Sequence, residues 1–192
     1  MLLYLHGFRS SPQSFKARLL GERMAMLGRA HEYVCPQLPP SPAAAMARAR
    51  SLAAQCPPAQ LTVIGSSLGG YYATALAEET GCRAVLLNPA LRAFEKLANQ
   101  LGPQAAYHDG GESFEFIAAH LDELRALQVA AITRPERYFL IAATGDELLD
   151  WREMAAAFAG ARQKIIEGSD HALSGFADYA AEVIDFAGEH GQ

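Results

Sequence analysis

The chain is poor in the features that would place it in a specialised class. It has three cysteines, Cys35, Cys56 and Cys82, odd in number and widely spaced, with no Cys-x-x-Cys pair. That disfavours a disulfide framework and a zinc site, and leaves reduced, packed thiols. No dense Lys/Arg run accompanies the net charge of −5 and pI of about 5.7, so charge-driven attraction to nucleic acid or to an anionic membrane is not expected. No apolar run approaches the length of a membrane span. The opening Met1-Leu2-Leu3-Tyr4-Leu5-His6-Gly7 is too short for the apolar core of a signal peptide and lacks a basic leader. A cytoplasmic protein acting on a small molecule is the expectation.

What is present is a compact globular composition. Of 192 residues, 51% are hydrophobic and 19% charged, enough for one well-buried core and too few for two comfortable domains. Residues 1–192 read as a single domain. Short apolar runs alternate with helical stretches, the signature of βαβ units in a mostly parallel sheet. Six strands are expected, at about Leu2–His6, Glu32–Cys35, Leu61–Ser66, Ala84–Asn88, Arg137–Ala143 and Gln163–Glu167. Ser11-Pro12 and Ser41-Pro42 each offer an N-cap followed by proline at N1, for helices ending near Gly28 and before Pro57-Pro58. Further helices are expected from Leu68 to Thr80, with Gly81 at the C-terminal cap, and from about Ser174 to Gly188. The stretch 91–136 breaks the alternation with a helical pattern interrupted at Gly110-Gly111. Its apolar residues Phe94, Leu97, Leu101, Phe114, Ile117, Leu121 and Leu124 suit a small helical lid, or ordinary cover for the sheet.

The most informative stretch is Leu61-Thr62-Val63-Ile64-Gly65-Ser66-Ser67-Leu68-Gly69-Gly70, an apolar strand running into Gly-x-Ser-x-Gly and then into a helix. This is the pattern of a nucleophile elbow, with Ser67 as nucleophile. The composition alone would yield roughly 0.07 copies of it. A serine projecting above a sheet edge sits on a tight, strained turn, and side chains two positions either side would collide, which suits Gly65 and Gly69. Ser66 is flanked at that spacing by Ile64 and Leu68 and reads as a packing residue. The turn aims the Leu68 amide, at a helix N-terminus, toward a developing oxyanion.

A serine hydroxyl needs a histidine base, and the histidine needs an acid. Elbow-bearing hydrolases supply them in the order serine, acid, histidine, on loops after later strands. Thr144-Gly145-Asp146 follows the fifth strand and nominates Asp146, with Asp150 as a helix cap and Glu147 as a solvated or secondary residue. Gly168-Ser169-Asp170-His171 follows the sixth strand and nominates His171, with Asp170 a weak rival acid. His31, His108, His120 and His190 stand beside no strand end and read as surface residues. His6 ends the first strand in Leu5-His6-Gly7-Phe8, where the Phe8 amide would be a second oxyanion donor and the His6 side chain structural.

Together, Leu5-His6-Gly7-Phe8-Arg9-Ser10-Ser11-Pro12, Gly65-Ser66-Ser67-Leu68-Gly69-Gly70, Asn88-Pro89-Ala90, Thr144-Gly145-Asp146-Glu147-Leu148-Leu149-Asp150 and Gly168-Ser169-Asp170-His171 resemble the YqiA-type small esterases of bacteria, within the α/β-hydrolase superfamily. The resemblance spans essentially the whole chain and is weakest over 91–136. It implies a trimmed α/β-hydrolase fold beginning at the His-Gly strand, with activity on carboxylic esters or thioesters. It also implies Ser67 as nucleophile, Asp146 as acid and His171 as base.

The expected reaction is acyl transfer to water through an acyl-enzyme, with no metal or organic cofactor. Acyl-CoA thioesterase is the neighbouring reading, with Arg9, Arg92 or Lys96 meeting CoA phosphates, and amidase or peptidase action is further off. A non-catalytic binding protein on the same fold is the rival from another class. The presence of all three of Ser67, Asp146 and His171 argues against it. Oligomeric state is not readable from the sequence.

Overall fold

The computed structural model describes residues 1–105 and 113–188. His108, Gly110-Gly111 and His190 lie outside the described residues. The core is a six-stranded parallel sheet of β1 (Leu2–Leu5), β2 (Tyr33–Val34), β3 (Thr62–Ser66), β4 (Arg83–Leu87), β7 (Tyr138–Ala143) and β8 (Arg162–Ile166), in the order β2-β1-β3-β4-β7-β8. These are the six expected strands, each end displaced by no more than one residue.

Apolar residues alternate between the two faces because successive strand side chains point to opposite sides. Leu3, Leu5, Val63, Leu86 and Leu140 join one buried layer; Leu2, Tyr4, Ile64, Leu87 and Ile141 join the other. The first layer packs on helices α2 (Pro42–Ala53), α3 (Leu68–Thr80) and α6 (Trp151–Ala157), through residues such as Met46, Leu76 and Met154. The second packs on α1 (Phe15–Met26) and α7 (Ala180–Gly188), through Leu20, Met24, Val183 and Phe186. With both faces covered, the near-continuous apolar strands follow. The chain runs outward from β1 to β2 and then back across to β3. The adjacent C-terminal ends of β1 and β3 are therefore the switch point of the sheet, where open α/β sheets form their ligand crevice.

Two helix starts differ from the sequence reading. Ser11 and Pro12 do not cap α1: the Ser11 Oγ accepts from the Gln13 amide at 3.1 Å and the Ser11 carbonyl from Ser14 at 3.1 Å, so residues 11–14 form a turn and Ser14 is the N-cap. Proline suits the second position of such a turn as well as N1. The last helix starts at Ala180, not Ser174, after a 3-10 turn at Phe176–Asp178. Leu173 takes φ +54 and both Leu173 and Phe176 are fully buried, so drawing them into the core breaks the helix there. By contrast, Ser41 caps α2 as expected, its Oγ accepting from Ala44 N at 3.2 Å, and Gly81 closes α3 at φ +76.

The segment 91–136 holds α4 (Ala93–Lys96), α5 (Ala118–Ala126) and a two-stranded antiparallel sheet of β5 (Gly102–Gln104) and β6 (Phe114–Phe116). The strand pair was not expected, although Phe114-Glu115-Phe116 alternates with period two. Phe116 and Leu124 are buried, Phe94, Leu97, Phe114 and Leu121 pack against the core, and Leu101 and Ile117 are exposed. His120, read as a surface residue, is buried: its Nδ1 accepts from the Ile117 amide at the start of α5, at 3.3 Å. Capping a helix end is the reason the ring is drawn inward. Among the described residues, no helix is long and apolar enough to cross a membrane.

Candidate active site

Ser67 sits between β3 and α3 with φ +55 and ψ −118, a conformation costing about 1–3 kcal/mol for a residue with a side chain. The surroundings enforce it. A Cβ on Gly65 would land on the backbone of Gly69 and Gly70, and one on Gly69 would land on the Leu5 carbonyl of the neighbouring strand. Both glycines are thus required by close approach, Gly69 by contact with β1 rather than with the turn itself. The Ser67 amide donates to the Leu87 carbonyl at 3.0 Å, and the Ser67 carbonyl accepts from Gly70 at 2.9 Å and Ala90 at 3.1 Å. Ser66 is buried at the strand end, as its flanks suggested.

His171 and Asp146 complete a hydrogen-bonded chain. Nε2 of His171 lies 3.0 Å from Ser67 Oγ, and Nδ1 lies 2.8 Å from Asp146 Oδ2. Asp146 Oδ1 accepts from the amides of Leu148 and Leu149, at 2.8 and 2.9 Å. Oδ2 is left to take the Nδ1 proton, which makes Nε2 the acceptor facing the serine. The Asp146 carboxylate is fully buried and the His171 ring 18% exposed, so solvent reaches the imidazole but not the carboxylate. Asp170 is turned away: its carboxylate takes the amide and hydroxyl of Ser174, and the Ser174 hydroxyl holds its pKa below the ordinary carboxylate value. Asp150 caps α6, accepting from Arg152 N at 2.8 Å.

The loops after β7 and β8 are stitched together. Gly145 N donates to Gly168 O at 2.9 Å, Gly168 N donates to the Thr144 hydroxyl at 2.8 Å, and a Cβ on Gly145 would strike the Ser169 carbonyl. Glu147 has more than a solvated role, since its Oε2 accepts from the His171 amide at 2.9 Å. Lys16, from α1, was not foreseen: its Nζ donates to the Ala172 carbonyl at 2.5 Å. Burial pushes this ammonium down to about 8, partly offset by Asp170 and Asp146. Nothing in the spacing of Lys16 or Glu147 relative to His171 signals these contacts, because both cross between elements.

The His6-Gly7-Phe8 turn lies beside Ser67, since a Cβ on Gly7 would fall 3.4 Å from Ser67 Cβ and 3.9 Å from its Oγ. The His6 ring is buried and structural: Nε2 accepts from the Leu38 amide at 3.0 Å, so Nδ1 carries the proton and donates to the Gly7 carbonyl at 3.0 Å. Phe8 is fixed by edge-on contacts with Phe114 and Phe116, ring centroids 5.7 and 5.2 Å away, while Arg9 Nε donates to the Ala105 carbonyl at 2.6 Å. The β5–β6 pair therefore grips the loop that carries the Phe8 amide. Leu68 is the first residue of α3, whose first turn holds no acidic side chain to compete for its N-terminal field.

A small cleft is lined by Pro89, Leu91, Leu149 and Met154 with Arg92, Lys96, Asp150 and Glu153 at its polar side. None of Ser67, His171 and Asp146 lines it. Arg92 is committed to Glu95 and Glu153, at 2.9 and 3.2 Å. The cysteines are free thiols; burial pushes Cys35 up to about 12 and Cys82 upward, which removes both as thiolate nucleophiles. Among the described residues no three His, Cys, Asp or Glu converge as metal ligands.

Comparison with known proteins adds a family and a fold. The model of an uncharacterised protein family, UPF0227, matches residues 1–188. Tomato methylketone synthase I superposes with a TM-score of 0.71 at 13% identity, covering 99% of this chain and 97% of its own. Mouse alpha/beta hydrolase domain-containing protein 10 gives 0.70 at 14% identity, over 96% and 89%. The esterase domain of a Rhodothermus marinus protein gives 0.63 at 20% identity, over 98% and 85%. At these identities the likeness is one of fold, the α/β-hydrolase fold.

Proposed function

The chain belongs to the UPF0227 family, and from that premise and the geometry above we propose that it is a serine hydrolase cleaving carboxylic esters of small acyl substrates through an acyl-enzyme. The observation that carries the reading is the unbroken relay from Ser67 Oγ to His171 Nε2 at 3.0 Å and from His171 Nδ1 to Asp146 Oδ2 at 2.8 Å. The solved esterase domain of the same fold adds support.

In the proposed reaction, His171 Nε2 takes the hydroxyl proton as Ser67 Oγ attacks the ester carbonyl. Asp146 Oδ2 holds Nδ1–H and stabilises the imidazolium. The amides of Phe8 and Leu68 donate hydrogen bonds to the oxyanion, each donor of this kind being worth about 10²- to 10³-fold in turnover. Collapse breaks the bond to the alcohol, which leaves with the proton from Nε2. Water, deprotonated by the same nitrogen, then releases the acid and restores Ser67. These steps need no metal or organic cofactor. The segment 91–136 is assigned the part of a cover that sets acyl-chain preference, since it supplies Leu91, Arg92 and Lys96 to the cleft and braces Phe8.

The test is a screen of wild type against Ser67→Ala on p-nitrophenyl esters and matched thioesters of graded chain length, with labelling by a fluorophosphonate. Ser67 should be the labelled residue, and Ser67→Ala should lose turnover by about 10⁴-fold or more. Ester hydrolysis unchanged in Ser67→Ala sinks the proposal. Thioesters turned over far faster than esters of equal length would move the substrate class to thioesters, with the site unchanged.

A further inference from the structure

Asn88 is fully buried, and no step above uses it. It follows β4 at φ +43, a left-handed conformation that asparagine tolerates better than other residues with a side chain. Its Oδ1 accepts from the Ala143 amide at 2.9 Å, at the end of the strand that delivers Asp146. Its Nδ2 donates to the carbonyls of Asp170 and His171, both at 3.1 Å. These partners fix the orientation of the amide, since an N–H can only donate and a carbonyl can only accept. The backbone of the same turn holds the nucleophile: Ser67 N donates to Leu87 O at 3.0 Å, and Ala90 N donates to Ser67 O at 3.1 Å. Asn88 N donates in turn to Ile141 O at 2.9 Å. Residues 87–90 therefore bond to the backbone that bears, or leads to, each of the three reacting side chains.

We infer that Asn88 is a positioning residue that sets the place of His171 relative to Ser67; the inference rests on the serine-hydrolase reading. His171 rides on a loop whose left-handed Ser169 and Leu173 keep it out of regular structure. Glu147 and Lys16 also hold the backbone at 171 and 172, but Glu147 is exposed and Lys16 only half-buried. Hydrogen bonds made away from water are stronger, and leaving their partners unpaired is costly. Aspartate, glutamine and alanine each fail to reproduce this set of contacts. Aspartate would set an anion against two carbonyl oxygens. Glutamine carries its amide one methylene further from the backbone, and alanine leaves the Ala143 amide and the two carbonyls without this partner while strained at positive φ.

The experiment compares Asn88→Gly and Asn88→Asp with wild type. Glycine takes φ +43 without strain, so that variant keeps the turn and loses only the amide. On p-nitrophenyl butyrate, kcat and the rate of fluorophosphonate labelling at Ser67 should fall roughly 10²-fold in both variants, with KM within about twofold, because a displaced base slows chemistry and not binding. In a His171→Ala background, Asn88→Gly should cause no further loss, since the residue acts through His171. Wild-type kcat in a folded Asn88→Gly protein, or the same loss with and without His171, overturns the inference while the hydrolase reading stands. A wild-type chain that is not labelled at Ser67 overturns both.

Discussion

Replacing Asp146 with asparagine tests the relay more sharply than deleting it. The carboxylate Oδ1 is pinned by two amide donors, Leu148 N at 2.8 Å and Leu149 N at 2.9 Å. In Asp146→Asn those two donors will keep the amide oxygen, because the NH2 group cannot accept from them. The NH2 must then face His171 Nδ1, now 2.8 Å from a donor where it had an acceptor. The imidazole responds by carrying its proton on Nε2, and Nε2–H points at Ser67 Oγ. A base that already holds its proton cannot take one from the serine. Loss of the correct tautomer in such a relay costs about 10⁴-fold in kcat, or about 5.4 kcal/mol of barrier. Asp146→Ala, which imposes no tautomer, should lose no more than the asparagine variant. The assay is steady-state hydrolysis of p-nitrophenyl butyrate at pH 7 to 8, with near-wild-type melting temperatures confirming that both variants are folded. Retention of more than a tenth of wild-type kcat by Asp146→Asn would refute the orientation argument, and with it the role of the Leu148 and Leu149 amides.

Two further outcomes concern the scaffold. Gly69→Ala drives a methyl group into the Leu5 carbonyl of β1, where backbone and not a flexible side chain must yield. It should cost at least about 3 kcal/mol, lowering the melting temperature by about 6–12 °C, and a loss under 2 °C would contradict the packing described. Stability should also fall with acid through Glu78 and Glu123. Burial alone would raise both carboxyls, but Tyr138 and Thr133 at Glu78, and the Ala43 amide and Ser41 hydroxyl at Glu123, hold them below the ordinary 4.5. A carboxyl depressed by folding contributes stability above its unfolded pKa and loses it as pH falls through the folded value. Melting temperatures should therefore drop below about pH 4.5, and less steeply in Glu78→Gln than in wild type; identical slopes would remove Glu78 from the account.

Much of this was legible because it is local. The elbow spacing, the strand-end positions of Asp146 and His171 and the Ser41 and Gly81 caps are properties of a few consecutive residues, and short apolar runs between helical stretches placed all six strands. What escaped the sequence reading was decided elsewhere. Ser11 and Ser14 compete for the start of α1, and the turn at 11–14 settles it. The helix before Ala180 is broken because Leu173 and Phe176 are buried, which no local propensity records. His120 is drawn inward by an orphan amide, and β6 hides in a segment whose mean pattern is helical.

By itself the sequence determined the parallel sheet, the strained serine turn and the residue types of the relay, because backbone sterics and side-chain alternation act within a few residues. Only the tertiary structure decided that Gly69 must be glycine against Leu5, that Glu147 and Lys16 hold the loop of His171, and that Asn88 ties three strand ends together. Those contacts join residues 24 to 156 positions apart in the chain, and they exist only once the sheet has brought the loops at its strand ends together.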